Sequence, residues 1–231
     1  NLDKEGALQV NDDGQLEGVS AIIGFHNNSN HSVEEIGISS GIVSGAIDKF
    51  RVCLRGVGTH ASAPQNGKDP IVALGAQINA LQTISSRNID AFSAVVLSIT
   101  HVNAGNTWNI LPEKSFFEGT VRTADPAARA QVKERFFEIV KYTAKAYGVS
   151  AEIDWYDGDP SVNNDAHLDS VLKKELKATA IYEQEKRLGS DDFACYQTKV
   201  PGVYVNIGNG EQISAHNSHF LADDKIVIKG A

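Results

Sequence analysis

Phe50-Arg51-Val52-Cys53-Leu54-Arg55 places an apolar side chain at every second position, the period of a strand with one buried face. The segments after it decide the fold. Beyond the loop Gly56 to Lys68, Asp69 is placed to cap a helix with Pro70 at its first position, and Ile71, Leu74, Ile78, Leu81 and Ile84 recur at three- and four-residue steps. Phe92 to Thr100 and Lys114 to Arg122 have strand length, with a connection containing Gly and Asn between them. A second helix is expected from Asp125-Pro126, with Val132, Phe136, Ile139, Val140 and Thr143 as its buried stripe and Gly148 as its stop. Ala151, Ile153 and Trp155 then alternate again. The order βαββαβ predicts a ferredoxin-like sandwich of helices on one antiparallel sheet over 46–156.

The flanks read differently. Gly18 to His26 is a short apolar run bounded by glycines, which predicts a buried strand of a parallel sheet over Val19 to Phe25, with His26 at or just past its C-terminal end. After the turn-forming Asp157-Gly158-Asp159-Pro160, Leu168, Val171, Leu172 and Leu176 suit a helix, Asp192 to Thr198 a shorter one, and Val203 to Ile207 a second buried strand. The expected organisation is an α/β domain over 1–45 and 157–231 with the sandwich inserted into it.

Composition narrows the function. In 231 residues, 42% are hydrophobic and 22% charged, the profile of a globular protein with a real core. The net charge of −8 opposes a phosphate-tracking nucleic-acid binder or an anionic-membrane protein, and points to small-molecule or protein partners. Runs such as Ala94-Val95-Val96-Leu97 fall far short of the roughly 20 residues of a membrane helix. Cys53 and Cys195 form neither a disulfide framework nor a C-x-x-C motif, so a reducing, cytoplasmic setting is expected. The chain opens on Asn1 and contains no methionine, and it reads as part of a longer gene product.

No local histidine pair makes H-E-x-x-H, so any metal site must be assembled from distant segments. A lone histidine ordinarily serves as a polar side chain, and that reading suffices for His31, His101 and His167. His26 and His216 differ, because each follows a predicted buried strand at the sheet edge where loops converge and ligands bind. Imidazole suits zinc and similar ions, but two histidines do not complete a two-ion site. Asp191 and Asp192, after Gly189-Ser190, are either further ligands or caps of the next helix. His60 lies in the small-residue loop Gly58-Thr59-His60-Ala61-Ser62-Ala63-Pro64. Asn109 offers an amide donor and Arg122 a guanidinium fork for a carboxylate, with a solvated strand position as the plain alternative for Arg122.

Eight segments in order carry a resemblance: Gly24-Phe25-His26-Asn27, the His60 loop, Asp69-Pro70-Ile71-Val72-Ala73, Leu81 to Asn88, Asn109-Ile110-Leu111-Pro112, Glu118 to Thr123, Gly189-Ser190-Asp191-Asp192-Phe193 and Ala215-His216-Asn217-Ser218. Together they resemble the M20 metallopeptidase family over nearly the whole chain, most closely its amidohydrolase branch acting on N-acyl amino acids. The resemblance implies a zinc-peptidase-like catalytic domain with two divalent ions (Zn, Mn, Co or Ni) and an inserted lid that also forms a homodimer. It implies His26 and His216 as metal ligands, and His60, with Asn109, reaching the substrate and helping hold the oxyanion. Ser190 and Arg122 carry over as substrate-binding positions, Arg122 alternatively as support for the sheet.

The resemblance also implies a Cys/His-Asp metal segment and a Glu-Glu pair, supplying the base, upstream of His26. Neither is present here. Asp191 stands where this branch usually has Glu. The expectation is therefore a metal-dependent amidohydrolase whose N-terminal part precedes Asn1, the 231 residues alone being catalytically incomplete. The competing reading is a non-catalytic binding or dimerisation module with the lid and a partial metal site. A serine or cysteine hydrolase has little support, because no elbow motif surrounds any serine, Cys53 or Cys195.

Overall fold

A computed structural model describes residues 6–176, 180–210, 213, 217–221, 224 and 226. In chain order the elements are α1 (Gly6–Asp12), β1 (Ile22–Asn28), β2 (Glu35–Gly37), β3 (Gly41–Ile42), β4 (Ala46–Arg55), β5 (Thr59–His60) and α2 (Pro70–Leu81). Then come β6 (Val95–Ala104), β7 (Ile110–Leu111), β8 (Lys114–Thr123), α3 (Pro126–Ala146) and β9 (Ser150–Asp157). The chain continues through β10 (Asn163–Asn164), α4 (Ala166–Glu175), β11 (Ala180–Tyr182), α5 (Phe193–Gln197) and β12 (Gly202–Gly208). These form two compact units, Ala46–Gly158 and the discontinuous pair Asn1–Gly45 with Asp159–Ala231.

In the inserted unit the strands are ordered β6-β8-β4-β9 with antiparallel pairing throughout. With α2 and α3 as the two crossovers this is the split βαβ arrangement. Side chains of β4 alternate strictly, Phe50, Val52 and Leu54 facing the helices and Arg51, Cys53 and Arg55 facing away. Phe50 lies at the centre, with ring centroids 4.6 Å from Phe136 and 6.2 Å from both Phe117 and Trp155. The helices begin where expected. Asp69 accepts from the N–H groups of Ile71 and Val72, and Asp125 from those of Ala127 and Ala128, each ahead of a proline that has no N–H to satisfy. Gly148 ends the second helix at φ +70°, a left-handed conformation costly for any residue with a Cβ.

Two details depart from the periodic reading. Ile71 is exposed and the buried stripe of α2 runs instead through Ala73, Leu74, Gln77 and Leu81. Gln77, fully buried, donates its amide to the Val140 carbonyl and so ties α2 to α3. Thr143 is half-buried, and Ala144 takes the innermost place. Strand β6 starts at Val95, leaving Phe92 fully exposed.

The discontinuous unit holds a mixed four-stranded sheet in the order β1-β12-β2-β11. β1 pairs with β12 in parallel, and β2 with β11 in parallel, but β12 and β2 run antiparallel. β12 is buried along its whole length. Val203 and Val205 meet Ile36 and Ile38 and the α4 residues Leu168 and Leu172, while Tyr204 on the other side meets Phe193 and Val43. Among the described residues β1 pairs with β12 alone, and Ile23 and Phe25 are 44% and 47% exposed, more than the buried strand expected there. Among the described residues no helix is long and apolar enough to cross a membrane.

Candidate active site

His26 is the fifth of the seven residues of β1, within the strand rather than past its end, and lies beside Asn206 of β12 in the parallel register. Its Nδ1 is 2.7 Å from the Asn27 carbonyl oxygen. A carbonyl only accepts, so this bond requires a proton on Nδ1 and leaves Nε2 of the neutral ring with its lone pair. Fixing one ring nitrogen in this way is how proteins orient a metal-binding histidine. Strand β1 approaches α5 closely: a Cβ on Gly24 would come within 2.6 Å of the Phe193 ring.

Beside His26 opens a cavity of about 300 Å³, within the range of small-molecule sites, lined by Asn28, Ser190, Asp191, Tyr204 and Asn206 among others. The Tyr204 ring centroid is 6.1 Å from that of His26. Its hydroxyl donates to Asp191 Oδ2 at 2.6 Å, and the Phe193 N–H donates to Asp191 Oδ1 at 3.0 Å. Burial, reinforced by the Asp191 carboxylate, pushes the Tyr204 phenol far above its ordinary range and keeps it a donor. Both open readings of Asp191 are thereby refined, since its carboxylate tethers the start of α5 and anchors a phenol on β12. Asp192 is the residue preceding α5, yet its side chain makes no capping bond. At the cavity wall Gln184 is buried with its side-chain oxygen unpartnered, an acceptor that calls for a donor.

Metal-ligand chemistry is therefore present in part. His26 fits a divalent ion by tautomer and placement, while the Asp191 oxygens are engaged within the chain. Among the described residues no three His, Cys, Asp or Glu side chains gather around one point. His216 lies outside the described residues.

In the inserted unit, β5 pairs with β7, setting His60 opposite Ile110. The Ala61 N–H donates to the Asn109 carbonyl at 3.0 Å, so His60 and Asn109 are brought together. The Asn109 side-chain oxygen accepts from the Thr107 hydroxyl at 3.1 Å, leaving its NH₂ as the donating end. Arg122 stands apart. It is near the far end of β8 from Lys114, about 26 Å along the strand at ~3.3 Å per residue, between Ile47 and Val96 on the neighbouring strands. Composition and periodicity give no signal for Tyr204, Asn206 and Gln184. A polar residue breaking an apolar strand, as Asn206 does within Val203 to Ile207, is the one local hint.

Residues 40–148 match the model of a peptidase dimerisation domain of the M20 kind. The N-acetyl-L-cysteine deacetylase of Bacillus subtilis is 36% identical over 98% of this chain and 55% of its own length. The hippurate hydrolase of Campylobacter jejuni is 30% identical over 98% of this chain and 61% of its own. A crystal structure of a dinuclear metal binding peptidase of the M20 family from Bacillus subtilis superposes with a TM-score of 0.79 at 32% identity, covering 96% of this chain and 58% of that one. The chain thus spans little more than half the length of these relatives. Residues 40–148 are an M20 peptidase dimerisation domain, and similarity to M20 peptidases and amidohydrolases extends over nearly the whole chain.

Proposed function

We propose that the protein carrying this chain is a metal-dependent amidohydrolase that removes the acyl group from N-acyl amino acids. In this reading Asn1–Gly45 with Asp159–Ala231 is part of the catalytic domain, and Ala46–Gly158 is the lid through which two copies pair. The observation that carries it is His26, held by the Asn27 carbonyl with Nε2 left as a lone-pair donor beside a cavity of about 300 Å³. Relatives over 98% of the chain that are named for N-acetylcysteine and hippurate point to the same substrate class.

His26 and His216 would hold the divalent ions, of which Zn, Mn, Co and Ni all suit imidazole and carboxylate ligands. When bound, such ions supply Lewis acidity for an amide carbonyl and a more acidic water. The chain's own part is orientation. Ser190 lines the cavity beside His26 and would bind the substrate there. His60 and the Asn109 amide would donate to the oxygen on which charge develops, without giving up a proton. Arg122 is assigned to a separate contact of the lid, on substrate or on the sheet. Strands β6 and β9 are the open edges of the lid sheet, and either offers unpaired backbone groups to a second copy.

The test is metal analysis and a deacylation assay on the full-length protein, with N-acetylcysteine and hippurate among the substrates. About two divalent ions per chain and metal-dependent release of the free amino acid are expected. Absence of both would make the chain a binding or dimerisation module and overturn the reading. Sedimentation should give a dimer, and a monomer at micromolar concentration would refute pairing through the lid.

A further inference from the structure

His60 is held by backbone bonds on both sides. Val57 and Lys68 exchange backbone hydrogen bonds of 2.9 and 3.0 Å, closing the loop at its base. The Ala63 N–H donates to the His60 carbonyl at 2.9 Å, and Ala61 is bonded to Asn109. The ring itself is exposed and meets one residue's polar groups: the Ser62 N–H at 3.2 Å from Nδ1 and the Ser62 Oγ at 2.7 Å from the same nitrogen. These two contacts decide the protonation pattern. A backbone N–H can only donate, so Nδ1 must present its lone pair to Ser62. A neutral imidazole has one proton to place, and it then sits on Nε2. The hydroxyl, free to rotate, is left to donate to Nδ1 as well.

We propose that Ser62 is a positioning residue: its N–H and hydroxyl together hold His60 in the Nε2-protonated tautomer, so that the lid presents a neutral N–H donor at the outer edge of the ring. The opposite tautomer would set an Nδ1 proton against the Ser62 N–H and turn a lone pair outward, towards the very carbonyl oxygen a donor is meant to meet. His26 shows the reverse arrangement, with Nδ1 protonated by virtue of a carbonyl partner. One chain thus specifies an acceptor imidazole and a donor imidazole by choosing the backbone group placed at Nδ1. The effect on turnover rests on the amidohydrolase reading; the tautomer itself does not.

The experiment uses the protein that carries this chain, labelled with ¹⁵N in its histidine rings, with His60 assigned by its loss in His60→Gln. Long-range proton–nitrogen correlation distinguishes a protonated from an unprotonated ring nitrogen. The expected spectrum shows Nδ1 unprotonated and Nε2 protonated at His60, a shift towards a mixed pattern in Ser62→Ala, and recovery in Ser62→Thr. In the deacylation assay Ser62→Ala should lose about tenfold in kcat with KM within twofold, less than the ~10²–10³ that removal of a whole oxyanion donor brings. A protonated Nδ1 in the unmodified protein overturns the proposal, and an unchanged pattern in Ser62→Ala, which keeps the backbone N–H and loses only the hydroxyl, overturns the hydroxyl's share in holding the tautomer. If the pattern moves in Ser62→Ala while His60→Ala deacylates normally, the role of Ser62 stands and the assignment of His60 as a substrate donor is what fails.

Discussion

Arg129→Ala should be the most damaging single polar substitution in the lid. The Arg129 guanidinium grips Asp48 with two bonds, Nη2 to Oδ1 at 2.7 Å and Nε to Oδ2 at 3.0 Å. The same Nη2 donates to the carbonyls of Gly158 at 2.8 Å and Ile47 at 3.3 Å. Asp48 is 1% exposed, so removing the cation strands a carboxylate with no access to water. Breaking a buried pair from one side costs about 3–5 kcal/mol, which for a unit of this size lowers the melting temperature by roughly 12–20 °C. Asp48→Asn, which keeps the shape and removes the charge, should cost about 1–3 kcal/mol, the penalty of an imperfectly satisfied buried polar group. Replacing both partners, as Arg129→Met with Asp48→Leu, should recover most of the loss because no charge is then buried. Urea unfolding followed by tryptophan fluorescence reads this directly. Trp155 packs against Phe50 and Phe136 in the lid core, whereas Trp108, the other tryptophan, is 92% exposed and insensitive. A loss below about 1 kcal/mol in Arg129→Ala, or a double variant no more stable than the single one, would refute the argument from stranded charge.

Four further outcomes are expected. On the proposed amidohydrolase function, His60→Ala should lower deacylation by the full-length protein by ~10²–10³ while metal content, measured by elemental analysis, stays the same. His26→Ala should instead lower the bound metal, and an unchanged metal stoichiometry would remove His26 from the ligand set. Tyr204→Phe strips Asp191 of its 2.6 Å partner and should cost about 1–3 kcal/mol in chemical denaturation, with full stability counting against the bond. The Glu118 carboxyl is held below its ordinary 4.5, chiefly by a hydrogen bond from His101, with slight burial opposing and Arg51 adding to the lowering. A depressed carboxyl pKa contributes stability that is complete above the unfolded value and lost as pH falls through the folded one. Acid melting of the lid below about pH 4.5 should therefore be shallower in Glu118→Gln than in the unmodified protein, and parallel curves would contradict this.

Much of the inserted unit's secondary structure was legible in the sequence because its signals are local. Asp69-Pro70 and Asp125-Pro126 combine a capping carboxylate with a residue that needs no cap, and strict alternation in β4 exists only where one face is buried. Reading the α2 stripe from apolar residues alone placed Ile71 inward, because a buried glutamine bonded to a carbonyl of another helix has no sequence signature. β1 was read correctly as a strand of a parallel pair, while its exposure among the described residues was not foreseen. Its glycines and apolar residues fit an interior strand, and which strands flank it among the described residues is set by the sheet and not by the segment. Of the candidate residues, His26 and Ser190 in one unit and His60 and Asn109 in the other stood out through loops, strand ends and family motifs. Tyr204 did not, since its polarity matters only through Asp191, which folding brings to it across 13 residues.

Asp48 and Asp157 face each other across β4 and β9, and β3 pairs with β10 just outside the insertion, so the outgoing and returning segments run side by side. The interruption is thus a parenthesis, opened and closed at one spot. Splicing Gly45 to Asp159 through a tight reverse turn would excise all of it without unthreading a single strand of the host sheet. A peptide grafted between those two residues would need ends only one interstrand spacing apart, which makes this junction a natural socket for exchanging lids.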